Sequence, residues 1–455
     1  MQVLALDIGT SSVRARVYDE TGTAIEDAQA QTRYELTHGH DGRAEFDADH
    51  LVEATQAALG EVRREADEAP AALCGACFWH SLVPVDARGR AIGPLLTWRD
   101  TRSAAASERL ARRLDAEEVH ARTGCMLHAS YWPSKLTWLA ESEPELFRRA
   151  ARFLSFSDYL YLRLTGELRT SLSMASGTGL VDVGAGRWDA RLLDELSLDA
   201  QRLPTISDEP VDHDEPWFPL IGDGAASNVG AGCVTRDRAA LMIGTSGAYR
   251  TVFSAAATRP RPGLFLYRLD DPRVVEGGSL SDGGNLYAWL AQTLRLDGLS
   301  AVEAAPPAGH GLTFLTLLGG ERSPGWKAAA RGAVTGLSFD TTPVDVLQAA
   351  FEGVAYRFAE IAELMPEVGE VVATGHALLA DHGWIQILAD VLERRIQVSA
   401  VEEASARGAA VVALERLGAS PAPAPLGPVF EPRAERFEAH RAARERQRAL
   451  YDHVT

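Results

Sequence analysis

Two segments of this chain carry the same short string of residues suited to holding phosphate. ALDIGTSSVRARV, from Ala5, aligns with ALMIGTSGAYRTV, from Ala240, with seven of thirteen positions identical across an offset of 235 residues. In each copy a Gly-Thr-Ser turn (Gly9, Thr10 and Ser11; Gly244, Thr245 and Ser246) offers backbone N–H groups and hydroxyls where a phosphate can approach closely. Asp7 ends the first strand, where a carboxylate can reach a magnesium ion on the phosphates, while its counterpart in the second copy is Met242. Asp223 stands between two glycines in PLIGDGAASNVGAGC, just before small residues that can begin a helix. An Asp there can accept the proton of an attacking hydroxyl, and the helix N-terminus favours the charge of the group in transit. Phosphoryl transfer needs little beyond such parts: backbone donors, a carboxylate for the metal and another beside the acceptor. Each part alone also has a plainer reading, because a single Gly-Thr-Ser turn is more often only a hairpin, GDG is usually a turn, and turn geometry by itself favours Asp.

The elements around these residues read as two related α/β lobes. Each repeat is an apolar strand, a tight turn and a second strand, the pattern of a β-hairpin. VRARVYDETGTAIEDAQA continues as a hairpin with a Thr-Gly turn, and DADHLVEATQAALGEVRREADE has apolar residues at helical spacing behind an Asp cap. TTPVDVLQAAFEGVAYRFAEIAELM predicts a helix with Thr342 at its N-cap before Pro343, followed by the strand EVVAT and the helix HGWIQILADVLERR. Strand and helix in this order predict mixed sheets with helices on their faces. The repeat places the division near residue 235, giving lobes 1–235 and 236–455; the proline-rich ASPAPAPLGP from Ala419 is expected to end the second core, and EPRAERFEAHRAARERQRALYDHV to form a docked terminal helix with a solvated charged face.

Bulk properties agree. A chain of 455 residues exceeds what one core usually organises, and 46% hydrophobic with 24% charged residues is ordinary globular composition. A net charge of −18 disfavours nucleic-acid or anionic-membrane partners. MQVLALDIGT has no positive segment and runs into a glycine turn, so it reads as a strand and not a signal peptide, and no apolar run is long enough to span a membrane. Four cysteines, Cys74, Cys77, Cys125 and Cys233, are too few for a disulfide framework, which points to the reducing cytoplasm. Cys74 and Cys77 form a CxxC without a second pair, in an apolar run that reads as a buried strand.

Taken together, these segments resemble the FGGY carbohydrate kinases of the actin-like ATPase superfamily, nearly end to end. LALDIGTSSVRA looks like the family's first phosphate motif, IGDGAASNVGAGC its catalytic-base segment, LMIGTSGAYR its second phosphate motif and ATGHALLADHGWIQILADVLERRI its adenosine motif. The resemblance implies two actin-like (ribonuclease H-like) lobes with a nucleotide cleft between them, ATP and Mg²⁺ as cofactors, Asp7 holding Mg-ATP, and Asp223 as general base. It also implies Thr245, Gly284 and Gly375 along the nucleotide. The sugar loop resembles CFWHSLVPVD and LTWRDTRS, which would bring His80, Ser81, Trp98, Asp100 and Arg102 to the substrate, with Tyr131 of YWPSKLTWL reaching the same cleft. Read from its residues alone, His80 ends an apolar strand beside Trp79, where a satisfied core histidine is the commoner finding. Trp132 and Trp138, at near-helical spacing, read as core, and Trp98 as either core or sugar platform. One departure stands out: the adenosine motif usually has two adjacent glycines, but here His376 follows Gly375. Its side chain can stack on adenine, shift the phosphate-donor preference or weaken nucleotide binding.

WHSLVPVD, LTWRDTRS, GERSPGW and GHALL together look more like the gluconate kinase branch than the glycerol branch, which implies phosphorylation of D-gluconate. A sugar acid in so acidic a protein requires a local cation, for which Arg99, Arg102 and Lys135 are candidates. Xylulose or another ketose or polyol is the alternative and needs no cation. Two other classes compete: a non-catalytic sugar- or nucleotide-binding relative, against which Asp7 and Asp223 argue, and an actin-like ATPase acting on protein partners, which would need no acceptor pocket. A kinase of this kind is expected to close its lobes about a hinge near Asp223 and to exclude water. A homodimer is compatible with all of this.

Overall fold

In the first copy of the repeat, β1 (Gln2–Ile8) and β2 (Ser12–Asp19) pair as an antiparallel hairpin whose register sets Asp7 opposite Arg14. Strand β3 (Ala24–Arg33) extends it, and β4 (Ala72–Cys77) lies parallel to β1 on the other side. Residues 3–8 of β1 and all of β4 are buried, so the apolar runs are central strands. The CxxC pair lies inside β4 as two free, buried thiols, both pushed up in pKa by burial. Helix α1 (Ala48–Glu65) begins where its sequence requires, with the Asp47 carboxylate accepting from the N–H groups of Asp49 and His50. Helix α2 (Trp132–Ser142) buries Trp132 fully. The computed structural model describes all residues except 67, 213–214, 256–258, 295–304 and 381.

Strand β5 (Ile221–Gly222) runs parallel to the end of β4 and delivers Asp223 as the first residue of α3 (Asp223–Gly230). The second lobe then repeats the first. Strands β6 (Arg238–Ile243), β7 (Gly247–Ser254), β8 (Phe265–Arg268) and β9 (Arg273–Leu280) form an antiparallel set in the order β8-β9-β7-β6. Beyond α4 (Gly284–Leu294) and α5 (Pro343–Glu363), strand β10 (Glu370–Thr374) pairs parallel with β6 as β4 does with β1. Thr342 caps α5, as the sequence predicts, and the structure adds a reciprocal box with Asp345. Helix α6 (His382–Leu392) leads to β11 (Ile396–Ser399), parallel to β10. The chain is thus two α/β lobes built on related mixed sheets.

Two features depart from the sequence reading. Helix α7 (Ala404–Arg416) follows second-lobe strands but packs on the first sheet, where Ala406, Ala409, Ala410 and Leu414 join the core of Leu4, Leu6 and Cys74. Small residues permit this. A Cβ on Gly408 or on Gly230 would overlap a backbone carbonyl of the facing helix, so α7 and α3 meet backbone to backbone. Buried Arg407 fixes the crossing by donating to the carbonyls of Gly22 (3.1 Å), Gly230 (2.9 Å) and Ala422 (2.7 Å). The second departure is the proline-rich stretch, which does not end the core: β12 (Leu426–Phe430) pairs antiparallel with β11 at the sheet edge, where Pro428 is tolerated. The terminal helix α8 (Phe437–Val454) docks through His440, Ala443 and Gln447. Among the described residues no helix is long and apolar enough to cross a membrane.

Candidate active site

Both Gly-Thr-Ser turns open on one cavity of about 260 Å³, whose wall also holds Asp7 and Asp223. The first turn is closed by Gly9 N–H donating to Ser12 O (3.0 Å) and is braced by the Tyr34 hydroxyl donating to Gly9 O (2.7 Å). The second is closed by Gly244 N–H donating to Ser246 O (3.0 Å) and is backed by α4, whose Gly284 and Asn285 N–H groups reach the carbonyls of Gly244 (2.9 Å) and Thr245 (3.0 Å). Turns braced in this way, with Thr10, Ser11, Thr245 and Ser246 on the cavity wall, are suited to phosphate oxygens.

The two carboxylates differ in what surrounds them. Asp7 is buried, with Arg14 Nη1 3.6 Å away and itself shared with Glu403 (3.3 Å). Burial raises the Asp7 carboxyl to about 7, with Glu403 and Asp223 adding to the rise and Arg14 opposing it. A buried carboxylate so short of positive charge is suited to a cation. Asp223 opens partly on the cavity, and its Oδ1 accepts from the N–H of Gly224 (2.7 Å). Burial raises its carboxyl too, and Arg250 is the largest opposing influence. Its glycine neighbours are steric requirements: a Cβ on Gly222 would overlap the Trp79 indole and one on Gly224 the Arg250 guanidinium.

His80 sits at the cavity wall with φ 68°, a left-handed conformation that costs a residue other than glycine about 1–3 kcal/mol and recurs at functional sites. Its Nδ1 lies 2.5 Å from Gly177 O, so the nitrogen facing a carbonyl must carry the proton and Nε2 is left as an acceptor. Burial and the nearby charge of Arg322 push its pKa well below the ordinary value, which keeps the ring neutral. Lys135, from α2, donates to His80 O (2.5 Å) and so holds the strained peptide in place.

Not every residue expected at the substrate faces the cavity. His80 and Trp98 do, but Ser81 does not: its hydroxyl accepts from Phe156 N–H (3.0 Å) and its carbonyl from Trp132 Nε1 (2.8 Å), inside the core. Asp100 and Arg102 form a closed ion pair joined by Glu45, with the guanidinium over Trp138. Asp100 lines a neighbouring chamber instead. Tyr131 lies behind His80, its hydroxyl 2.6 Å from that of Tyr267. Lys135 is committed to the carbonyl of His80, and burial lowers its pKa to about 7, so of the three cations expected for a sugar acid only exposed Arg99 has a side chain without a hydrogen bond or ion pair among the described residues. Of the residues expected at the nucleotide, Gly375 has φ 92° and a Cβ there would meet Ile243 O, so it packs behind the second turn. His376 is exposed at the start of the short helix His376–Leu379, outside the cavity wall.

Two arginines absent from the sequence reading line the cavity, Arg250 and Arg322, both buried. Among the described residues Arg250 Nε and Nη2 and Arg322 Nε have no hydrogen-bond partner. A signal for the first was present in the repeat, where Arg250 takes the place of Ala15 inside an apolar strand. Buried cations in apolar strands demand a partner.

Paired Gly-Thr-Ser turns, a buried carboxylate facing a partly open one and a polar cavity between matched lobes suit a two-lobed phosphotransferase. Comparison with known proteins names the family: residues 2–209 match the N-terminal domain of the FGGY family of carbohydrate kinases and residues 239–415 match the C-terminal domain, and the chain belongs to that family. It is 26% identical to gluconokinase of Bacillus subtilis (strain 168) over 452 residues, 91% of this chain and 88% of that protein. It is 33% identical to xylulose kinase of Streptomyces rubiginosus over 442 residues, 90% of this chain and 87% of that protein. The crystal structure of gluconate kinase from Lactobacillus acidophilus superposes with a TM-score of 0.89 at 25% identity, covering 100% of this chain and 98% of that one. The chain is therefore a carbohydrate kinase.

Proposed function

We propose that this kinase transfers the γ-phosphoryl group of ATP to a hydroxyl of a sugar acid, D-gluconate to 6-phosphogluconate being the first candidate. Asp223 takes the proton of the attacking hydroxyl as the new O–P bond forms and the bond to ADP breaks. The N–H groups and hydroxyls of Thr10, Ser11, Thr245 and Ser246, in turns shaped by Gly9 and Gly244, hold the phosphates, and Asp7 is the group suited to the magnesium ion that neutralises them. Gly284 and Gly375 shape the floor beneath the second turn, with His376 at its margin. His80 accepts from a sugar hydroxyl through Nε2, and Trp98 supplies a flat face beside it. Lobes 1–235 and 236–455 divide the work between acceptor and nucleotide, in the cytoplasm.

The observation that carries the acid is electrical. A chain of net charge −18 keeps two buried guanidinium groups with unpaired N–H atoms in the cavity that holds Asp223. A neutral sugar does not need them, whereas a carboxylate and a transferring phosphoryl group do. The similarity to gluconokinase agrees with this reading. Xylulose is the second reading, favoured by the 33% identity to a xylulose kinase. ADP release with Mg-ATP and a panel of aldonates, ketoses and polyols, with Asp223→Ala as control, tests both. Release with D-gluconate above all others is expected; release only with ketoses would replace the first reading by the second.

A further inference from the structure

Arg322 stands where two chambers meet. With Trp98 it belongs to the wall of the hairpin cavity and also to that of an adjoining chamber of about 470 Å³. It is 8% exposed, its Nε has no partner, and it makes no salt bridge among the described residues. Its guanidinium carbon lies 5.4 Å from the ring centre of Trp98 and 6.0 Å from that of Trp326, so the plane is held between aromatic rings and not by an acid. Its charge is felt nearby, since it helps to lower the pKa of His80, His128 and Lys135 and opposes the rise of Asp223 across the cavity.

The loop that carries it is fixed from below. Glu321 pairs with Arg357 of α5 and accepts from the Tyr451 hydroxyl of α8 (2.8 Å), from Gly325 N–H (3.2 Å) and from Lys327 N–H (3.3 Å). Ser323 N–H donates to Ser279 O (2.9 Å), and Ser279 N–H donates back to the Ser323 hydroxyl (3.0 Å). Glu321 thus consumes its own charge in holding the loop and leaves that of its neighbour free. A guanidinium held in advance loses little freedom when an anion arrives.

Among the described residues Arg250 is the only other cation with unpaired nitrogen atoms on this wall, and it is packed against the turn of Asp223, where the phosphoryl group must arrive. A substrate carboxylate placed there would set a second anion beside that group. We infer that Arg322 reads the carboxylate of the acceptor, holding it at the Trp98 side of the cavity while the hydroxyl at the far end of the carbon chain reaches Asp223. This rests on the sugar-acid reading above and assigns its specificity to one residue.

The test compares an aldonate with the alditol of the same chain, gluconate and glucitol, on the full-length enzyme with saturating Mg-ATP. Wild-type enzyme should prefer the aldonate. Arg322→Gln should lower kcat/KM for gluconate by roughly 30- to 1000-fold, chiefly through KM, and change that for glucitol less than about fivefold, with Arg322→Lys intermediate. Unchanged nucleotide binding and melting temperature certify the fold, and if the Gln variant does not fold, the selective loss in the Lys variant decides. Equal loss on both substrates, or none on gluconate, overturns the role of Arg322 while leaving a sugar-acid kinase. A wild-type enzyme that ignores aldonates and phosphorylates ketoses overturns the sugar-acid reading, and the inference with it.

Discussion

Arg250 of the second lobe faces Asp223 of the first: a Cβ on Gly224 would overlap its guanidinium, and its charge is the largest influence keeping the buried Asp223 carboxyl from rising further. The pairing is electrostatic, because Arg250 Nε and Nη2 remain unpaired and burial brings the Arg250 pKa down to about 10. An arginine so placed can meet the negative charge of the phosphoryl group in transit and keep Asp223 ionised to accept a proton. Arg250→Ala should therefore lower kcat by roughly 10²- to 10³-fold with little change in the KM of either substrate. It should also move the acidic limb of the kcat profile to higher pH. A rise in sugar KM alone would make Arg250 a ground-state binder.

The glycine before Asp223 is set by Trp79, whose indole donates to Ser173 O (3.0 Å) and fills the space a Gly222 Cβ would need. Gly222→Ala must push either the indole or the turn that carries Asp223. A destabilisation of about 1–3 kcal/mol is expected in denaturant titration, with a larger fractional loss of kcat than Gly222 could cause through stability alone. Wild-type melting and turnover in this variant would show that the turn has room to spare.

Such constraints separate what the sequence reveals from what it hides. The hairpins, the helix caps at Asp47 and Thr342, the buried CxxC strand and Asp223 at a helix start are all local, and local residue chemistry exposes them. The return of α7 to the first sheet is invisible in an alanine-rich helix, because only its fit against Gly230 from a distant segment decides where it packs. Ser81, Asp100 and Arg102 sit beside true wall residues in the chain, but a hydrogen bond to Phe156 and an ion pair with Glu45 turn them inward. Arg250 was legible in part, as the residue that breaks the repeat where Ala15 stands. Arg322 was not, since its freedom depends on Glu321 being taken by Arg357.

Asp7 gives a pH-dependent test that needs no substrate. Its carboxyl rises to about 7 in the folded chain from an ordinary value of 3.8, so the folded state holds the proton more tightly than the unfolded state. Stability contributed by Asp7 is therefore fullest at low pH and falls as pH climbs from about 4 to above 7. Asp7→Asn removes that loss. Relative to wild type its melting temperature should be nearly equal at pH 4 and higher by several degrees at pH 8, while activity disappears. Added Mg²⁺ with nucleotide should raise the wild-type melting temperature at pH 8 more than that of the variant. Equal melting curves across the range would mean that Arg14 already neutralises the carboxylate.

His376 occupies a position that the nucleotide should meet from outside. Its side chain is exposed, whereas Gly375 before it is locked by φ 92° and by the backbone of Ile243. Replacing His376 therefore disturbs no packing, and a glycine in the first turn of so short a helix costs at most about 1 kcal/mol. An imidazole at this margin can lie against a purine face, a contact of about 0.5–1.5 kcal/mol. His376→Gly should accordingly raise the KM for ATP about three- to tenfold, leave kcat and the sugar KM unchanged, and narrow the difference between purine and pyrimidine triphosphates as donors. A lower KM for ATP would instead show the imidazole standing in the way of the base.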